Sequence, residues 1–517
     1  MKKIAIIIVL MFSFLVSFSQ SSTFYNKILF PLQGSNTIVN IITEDSVYYI
    51  LHLYLDTPYV NNQGMGIMKV DSLGNIISNK VWWDTLNNYI VTPGNSMILG
   101  MDTIIYFVGM NNKPNQGFSA TLFKVNPQTL DTLWTRTYTH PDTAAAALPG
   151  ASIFNAFTAI RQSLDGGFII SGMYNPGCVP NTDRKAYLLK VDSVGNVEWI
   201  RKYPTITSLY DIELAPDSGY YFPTVYNNTI RAVKVNKYGN IEWSVIVNTK
   251  QYPHVPLDLE ILNANYLYVS STFTYDVTYF QHSVVLAKVD IQNQTKLWEK
   301  NYIVFNNFKC QSLHQSMGLD ILPSGDLIIT GTVEMLNPDN SQELYHKGMI
   351  MKVNSNGDSL WARWHGHGLF QDDSQIHDVV LTDDGGFLAV GWQWHNNGGL
   401  FYQNAWLLKM DSMGCDTAGC DIYDAIAQMQ IRPKINMKIY PNPASDYFRI
   451  SADGVEQLRN LQLIIYDMQG KTIRKIKFDN NNIDELIDTH ELKPGVYSIS
   501  LYASDLLLEA QRITIVK

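Results

Sequence analysis

The chain has 517 residues, of which 16% are charged, 46% hydrophobic and 12% aromatic, and its formal net charge is −9. This composition is typical of a globular protein rich in β-structure and excludes a disordered chain. No run rich in Lys and Arg follows the first three residues. Because phosphate backbones are bound by clustered positive charge, we expect no nucleic-acid partner.

The first residues have the pattern of a secretory signal peptide. Lys2 and Lys3 precede an apolar run over residues 4–18, and small residues surround Phe18. We predict a signal peptide over residues 1–19 with cleavage after Ser19, and cleavage after Gln20 is the alternative. The run is shorter than the ~20 apolar residues that a membrane span needs, and no later segment is longer, so we expect no transmembrane span in the mature protein.

The middle of the chain repeats one motif seven times. Each copy has an apolar strand that carries a lysine, and most copies continue through a short turn into a strand that carries a tryptophan. The lysines are Lys69, Lys124, Lys190, Lys234, Lys288, Lys352 and Lys409. Their mean spacing is about 57 residues, close to the period of propeller blades. A pair of strands around a DGG-like turn precedes each lysine strand, so each repeat predicts four strands, named a, b, c and d.

We therefore predict an all-β chain: a seven-bladed β-propeller over residues 20–422, followed by a small antiparallel β-sandwich. The seventh copy lacks a tryptophan strand, so the N-terminal strand from Tyr25 to Phe30 is expected to complete the last blade and remove free sheet edges. Two separate sandwiches are the rival fold, but sandwiches do not require seven similar units.

Residues present in every repeat are expected to serve the repeat itself. Lys190 shares a strand face with Asp192, which predicts a local pair or an aliphatic stem that lies along the strand. Trp199, Trp243 and Trp361 are expected to cover the outer strand.

The connections from b to c and from d to a are long and emerge on one face, called here the loop face. Binding residues concentrate on loops that a rigid scaffold holds. In blades six and seven, this face carries the candidate ligand-binding residues His365, His367, Trp392, Trp394 and His395. These side chains predict a site for a sugar ring or a small polar ligand. The alternative is that the aromatics fill space between blades and the histidines are solvated.

Motifs for nucleotide, calcium or zinc binding and for hydrolase chemistry are missing from the sequence. Two histidines at i and i+2 without a placed carboxylate do not form a metal site. We therefore predict no catalytic residue, no metal and no cofactor.

The cysteines predict one local crosslink. Cys415 and Cys420 are five residues apart, which allows a disulfide in an oxidising compartment. A metal site would need two further ligands. The pairing of Cys178 and Cys310 stays open.

After a linker over residues 423–436, the pattern changes to short alternating strands of a small sandwich. The motif residues are Tyr440, Pro441, Asn442 and Pro443, then Gly470, Gly495, Tyr497 and the terminal Lys517. In these motifs and their order, residues 437–517 resemble the type A C-terminal sorting domain of the type IX secretion system. The resemblance implies a Bacteroidetes source, contact with the type IX secretion machinery, passage across the outer membrane, and attachment to the cell surface or release. A terminal carbohydrate-binding sandwich is the alternative.

The propeller itself resembles uncharacterised secreted repeat proteins of the same bacteria, which implies no activity. We predict a secreted or cell-surface protein whose propeller is a non-catalytic binding module for an extracellular glycan, peptide or protein. A polysaccharide hydrolase or lyase with its site on the loop face is the alternative, and a structural spacer is a third. Carboxylates that converge around the central opening would favour the enzyme.

Overall fold

The computed structural model describes residues 24–29, 35–55, 63–83, 88–91, 94–113, 117–139, 154–175, 184–206, 209–227, 229–248, 253–276, 281–302, 308–310, 318–336, 344–366, 372–397, 400–417, 436–453, 461–467, 471–478, 483–503 and 506–516. Over these ranges the chain forms strands and turns, and no helix in them could cross a membrane. The chain divides into two compact units, with main segments Met1–Ile303 plus Lys309–Ala418, and Gly419–Lys517.

Within the described residues, the strands of the first unit form seven antiparallel sheets, called blades one to seven in chain order. Blade one contains β2 (Ser35–Glu44), β3 (Val47–Leu55), β4 (Gln63–Val70) and β5 (Ile76–Trp82). Blade two contains β6 (Asn88–Ile90), β7 (Met97–Leu99), β8 (Ile105–Lys113), β9 (Gly117–Val125) and β10 (Thr132–Tyr138). Blade three contains β11 (Phe154–Gln162), β12 (Phe168–Asn175), β13 (Lys185–Val191) and β14 (Val197–Tyr203). Blade four contains β15 (Glu213–Leu214), β16 (Tyr220–Tyr226), β17 (Thr229–Val235) and β18 (Ile241–Asn248).

The remaining blades follow the same order. Blade five contains β19 (Pro253–Leu262), β20 (Tyr266–Asp276), β21 (Gln281–Asp290) and β22 (Thr295–Tyr302). Blade six contains β23 (Phe308–Cys310), β24 (Leu319–Ile321), β25 (Leu327–Leu336), β26 (Leu344–Val353) and β27 (Ser359–His365). Blade seven contains β28 (Ser374–Leu381), β29 (Phe387–Asn397), β30 (Leu400–Met410) and the N-terminal β1 (Tyr25–Leu29). The a strand is split in blades two and six.

Blade seven takes its outer strand from the beginning of the chain. In β1, Tyr25 lies opposite Lys409 of β30, and Leu29 lies opposite Ala405. Strand β2 of blade one packs against β28, β29 and β30. Consecutive blades pack in series, and the first blade contacts the last. The predicted all-β fold, a β-propeller followed by a small antiparallel sandwich, is confirmed.

The second unit has two sheets. One has the strand order β31 (Asn436–Tyr440), β32 (Tyr447–Asp453), β35 (Ile483–Asp488). The other has the order β34 (Thr472–Lys477), β33 (Leu461–Asp467), β36 (Gly495–Ala503), β37 (Leu506–Ile515). Alternate residues of both sheets, among them Phe448, Ile450, Leu463 and Ile499, form one buried core. This alternation is the period of two that places one face of each strand inside a sandwich.

Three of the repeated lysines, Lys190, Lys234 and Lys409, are buried and paired with carboxylates of their own blade. The Lys190 ammonium lies 3.0 Å from Asp165, in the a–b turn, and 3.2 Å from Glu198 of strand d. The expected pair with Asp192 is wrong, because the Asp192 carboxylate accepts the backbone N–H of Asn196 at 2.7 Å within its own turn. Lys234 and Lys409 pair in the same way with Asp217 and Asp384. The lysine therefore links strand c to the a–b turn, as a structural part of the repeat.

The outer strand of one blade packs on the c–d turn of the next blade. Gly239 has a φ of +75°, and a Cβ there would lie 3.0 Å from the Trp199 ring of blade three. Four residues after Trp199, the Tyr203 hydroxyl donates to the Gly239 carbonyl at 2.7 Å. Tyr138 and Tyr302 donate in the same way to Gly195 and Gly357. The strand-d tryptophan thus contacts the c–d turn of the neighbouring blade.

Candidate functional site

Two tryptophans lie together in the second half of β29 in blade seven, toward its loop end. The ring centroids of Trp392 and Trp394 are 6.1 Å apart with an interplanar angle of 53°. The Trp392 indole N–H donates to the Gln375 side-chain oxygen at 3.0 Å, and the Trp394 side chain is 42% exposed. The backbone N–H of Trp394 donates to the Asp373 carbonyl at 2.7 Å. One ring is therefore fixed by a hydrogen bond, and the other presents an aromatic surface to solvent.

The segment before β28 supports the backbone around this pair. The Asp373 carboxylate accepts the backbone N–H of His346 at 2.7 Å, and the ammonium of buried Lys347 donates to the Asp372 carbonyl at 2.7 Å. Burial lowers the pKa of Lys347. Our sequence reasoning did not single out Gln375 or Lys347, because neither belongs to a recurrent motif.

Of the three predicted histidines, the structure describes one side chain. His365 is only 8% exposed, and its Nε2 lies 3.0 Å from the Gly414 carbonyl. It is four residues after Trp361, the place that Tyr203 takes after Trp199, so it makes the contact between blades that a tyrosine makes elsewhere. His367 and the side chain of His395 lie outside the described residues. The structure therefore brings Trp392 and Trp394 together and places His365 in blade packing.

The structure describes one of the two cysteines of the expected local disulfide. Cys415 is buried and disulfide-bonded. Cys420 and the side chains of Cys178 and Cys310 lie outside the described residues. The pairing of Cys415 with Cys420 stays a prediction.

The inner strands of blades four to seven carry carboxylates that our sequence reasoning missed. They are Asp211, Glu213, Asp258, Glu260, Asp320 and Asp378. These strands surround the centre of the propeller, because β15 packs against β19, β19 against β24, and β28 against β2. Arg161 of blade three donates to Glu213 and lies 3.3 Å from Asp211. The sequence signal was an acidic residue inside each otherwise apolar a strand.

Three of these carboxylates join neighbouring blades. Asp258 accepts the backbone N–H of Leu319 at 2.9 Å, and Asp378 accepts that of Ile41 at 2.9 Å. Asp211 accepts the backbone N–H of Leu259 at 3.0 Å. In each case the acceptor is in one blade and the donor is in the inner strand of the next. These bonds satisfy buried backbone donors, which is a structural role.

Glu260 and Asp320 have no such backbone role in the bonds described. Burial raises the pKa of Glu260, and the carboxylates of Glu213 and Asp320 raise it further. Burial and the Asp378 carboxylate raise the pKa of Asp320 to about 7. Carboxyl groups with raised pKa can hold a proton near neutral pH and donate it. Among the described residues, no group of three or more His, Cys, Asp or Glu side chains is arranged to hold a metal ion.

The predicted sorting motif lies in the second unit, at the end of β31. The Asn442 side chain donates to the Arg512 carbonyl at 2.8 Å and accepts the backbone N–H of Thr514 at 2.9 Å. The peptide bonds before Pro441 and Pro443 are cis. The Tyr497 hydroxyl donates to the Lys493 carbonyl at 2.9 Å, closing the turn that leads into Gly495. Tyr440 is exposed, and Gly470 and Lys517 lie outside the described residues.

The comparison with protein families decides what this unit is similar to. Residues 438–515 match the family described as the secretion system C-terminal sorting domain. The predicted resemblance to the type IX sorting domain is confirmed over these residues. The match indicates export by the type IX secretion system, contact with that machinery, and a product that is secreted or carried on the cell surface. No curated protein sequence matches the chain.

Several solved structures are similar to this chain at low identity. A protein of unknown function from Bacteroides caccae has 11% identity and a TM-score of 0.36, covering 65% of this chain and 96% of its own. Virginiamycin B lyase from Staphylococcus aureus has 12% identity and a TM-score of 0.41, covering 75% and 99%. The β-propeller domain of the Trilobed protease from Pyrococcus furiosus has 7% identity and a TM-score of 0.38, covering 71% and 97%.

Proposed function

We propose that the protein is an extracellular binding protein of a Bacteroidetes bacterium, exported through its signal peptide and sorting domain, whose propeller binds a glycan without catalysing a reaction. The observation that carries this proposal is the pair of Trp392 and Trp394 at the loop end of blade seven. An exposed ring beside a ring fixed by Gln375 offers a preorganised aromatic surface for the apolar face of a sugar. Peptide and protein partners are the alternatives to a glycan.

The test is binding of the purified secreted protein to a panel of polysaccharides, with release of products measured in the same samples. We expect binding without product, and at least tenfold weaker binding for Trp394→Ala. Trp83→Ala is the matched control, because Trp83 is 41% exposed in blade one. Equal binding by the wild type and Trp394→Ala would contradict a site at this tryptophan pair.

A polysaccharide hydrolase or lyase is the second candidate, and the observation that favours it is the pair of Glu260 and Asp320 in the centre of the propeller. Glycosidases use two carboxyl groups, one of which is held protonated by a raised pKa. If the polysaccharide panel yields products, Glu260→Gln and Asp320→Asn should each abolish product formation while binding remains. Product formation that survives both variants would remove this pair from consideration.

A further inference from the structure

A cavity of about 350 Å³ lies between blades three and four, at the end of the strands opposite to Trp394. The short a–b turns of both blades and the c–d turn of blade four form its walls. Its lining includes Asp165, Glu198, Trp199, Ser218, Tyr220 and Tyr238. The volume is at the small end of the range of ligand sites, ~300–1,000 Å³. It therefore suits a ligand of about one ring.

The repeat supplies an internal comparison for the a–b turn at this cavity. The left-handed residue of this turn is glycine in three other blades, Gly166, Gly325 and Gly385, with φ between +77° and +83°, and it is Thr103 in blade two, with a φ of +57°. Blade four has Ser218 at the same position with a φ of +67°. A left-handed residue other than glycine costs on the order of 1 kcal/mol. The serine therefore costs stability relative to the glycine of those three blades, and Ser218 lines the cavity.

The c–d turn of blade four places a tyrosine at the same cavity, at a position that varies from blade to blade. The residue before the turn glycine is Leu73, Val194, Asn356 or Met413 in other blades, but in blade four it is Tyr238. Tyr238 is 56% exposed, and the Lys237 ammonium lies 5.0 Å from the centre of its ring. Architecture that all blades share does not require this tyrosine. Ser218 and Tyr238, from two different turns of blade four, thus face one cavity.

The polar groups of the cavity are balanced in charge. The carboxylates of Asp165 and Glu198 both contact the buried Lys190 ammonium, and their side chains remain 57% and 45% exposed. Lys237 adds a second positive charge, so the two acids and two lysines sum to zero. A neutral ligand with hydroxyl groups could donate to the exposed carboxylate oxygens. An apolar side chain in the same place would remove water from these carboxylates without adding a hydrogen bond, which is unfavourable.

We propose that this cavity is a binding site for one neutral sugar ring of a glycan, with Tyr238 and Trp199 against the apolar face of the ring and Ser218, Asp165 and Glu198 as hydrogen-bond partners of its hydroxyls. The site is separate from the tryptophan pair of blade seven and does not rest on the function proposed above. A tyrosine or phenylalanine side chain of a peptide is the competing occupant.

The test uses the double variant Ser218→Gly/Tyr238→Leu, which gives blade four the residues that other blades carry. The mature full-length protein is titrated with neutral methyl glycosides of glucose, galactose, mannose and N-acetylglucosamine, and with tyrosinamide, by ligand-observed NMR. We expect at least one glycoside to bind and the double variant to weaken that binding tenfold or more. Since glycine relieves the positive φ, the thermal unfolding midpoint of the variant should stay within a few degrees of the wild type.

Two controls separate this site from the rest of the surface. Leu73→Val changes the equivalent exposed turn residue of blade one and should leave glycoside binding unchanged. Trp394→Ala should also leave it unchanged, whatever that variant does to polysaccharide binding. The proposal is overturned if none of the glycosides binds, if the double variant binds as the wild type does, or if only tyrosinamide binds.

Discussion

Replacement of Asp320 by asparagine tests the electrostatics of the central carboxylates. Burial and the Asp378 carboxylate raise the pKa of Asp320 to about 7, well above the ordinary value near 3.9. A group with a raised pKa in the folded state contributes stability that is present at low pH and is lost as the pH rises through the folded pKa. At ~1.4 kcal/mol per pH unit, the wild type should lose about 3 kcal/mol between pH 5 and pH 8 through this group alone. The side-chain amide of the Asp320→Asn variant cannot ionise, so the variant avoids that loss.

The assay is urea unfolding at pH 5 and pH 8, followed by tryptophan fluorescence. All 11 tryptophans lie between residues 82 and 406, so the signal reports only the propeller. The quantity to compare is the difference in unfolding free energy between the two pH values. It should be ~3 kcal/mol smaller in Asp320→Asn than in the wild type. Asp45→Asn, at an exposed turn of blade one, should match the wild type. Equal pH dependence in wild type and Asp320→Asn would refute the raised pKa.

Three further changes have defined outcomes. Gly414→Ala should lower the unfolding free energy by ~3 kcal/mol, because Gly414 has a φ of +74° and a Cβ would lie 2.6 Å from the Trp361 ring. An unchanged urea midpoint would contradict this packing. Arg161→Met should lower the unfolding free energy by ~3–5 kcal/mol at pH 8 and by less at pH 5, where the carboxylates left without a cation are protonated more readily. An equal loss at both pH values would show that charge is not the cause. Deletion of Lys438–Lys517 should leave a folded propeller in the periplasm, and surface delivery of the truncated protein in cell fractionation would contradict the sorting role.

The blade architecture could be predicted from the sequence because each repeat carries its own local signals. Gly195 and its equivalents mark a turn that needs a positive φ, and the alternating apolar residues of strands b and c fix which face is buried. The unmatched strand at Tyr25 indicated where the last blade finds its fourth strand. These signals lie within a few residues of one another, so one sequence is enough to interpret them.

Contacts between residues far apart in the sequence were not predictable in the same way. The partner of Lys190 is in the a–b turn, 25 residues earlier, and period two alone suggested Asp192 instead. The role of His365 became clear only when the structure placed it on Gly414, 49 residues later. From one blade to the next, the acidic residues of the inner strands are 47 to 62 residues apart, as from Asp211 to Asp258 and from Asp258 to Asp320. Their convergence depends on ring closure, which no local pattern expresses.

The same repeats make the departures from them informative. A residue that recurs in most blades, such as the strand-c lysine or the strand-d aromatic, is explained by packing that every blade needs. A residue that differs between blades is not explained by that packing, as with Ser218 at a left-handed position where three other blades have glycine. Ser218 and Tyr238 lie 20 residues apart in the sequence, yet both line one cavity. A binding site in a repeat protein is therefore best sought where several such variable residues meet in space, as Ser218 and Tyr238 do at the cavity between blades three and four.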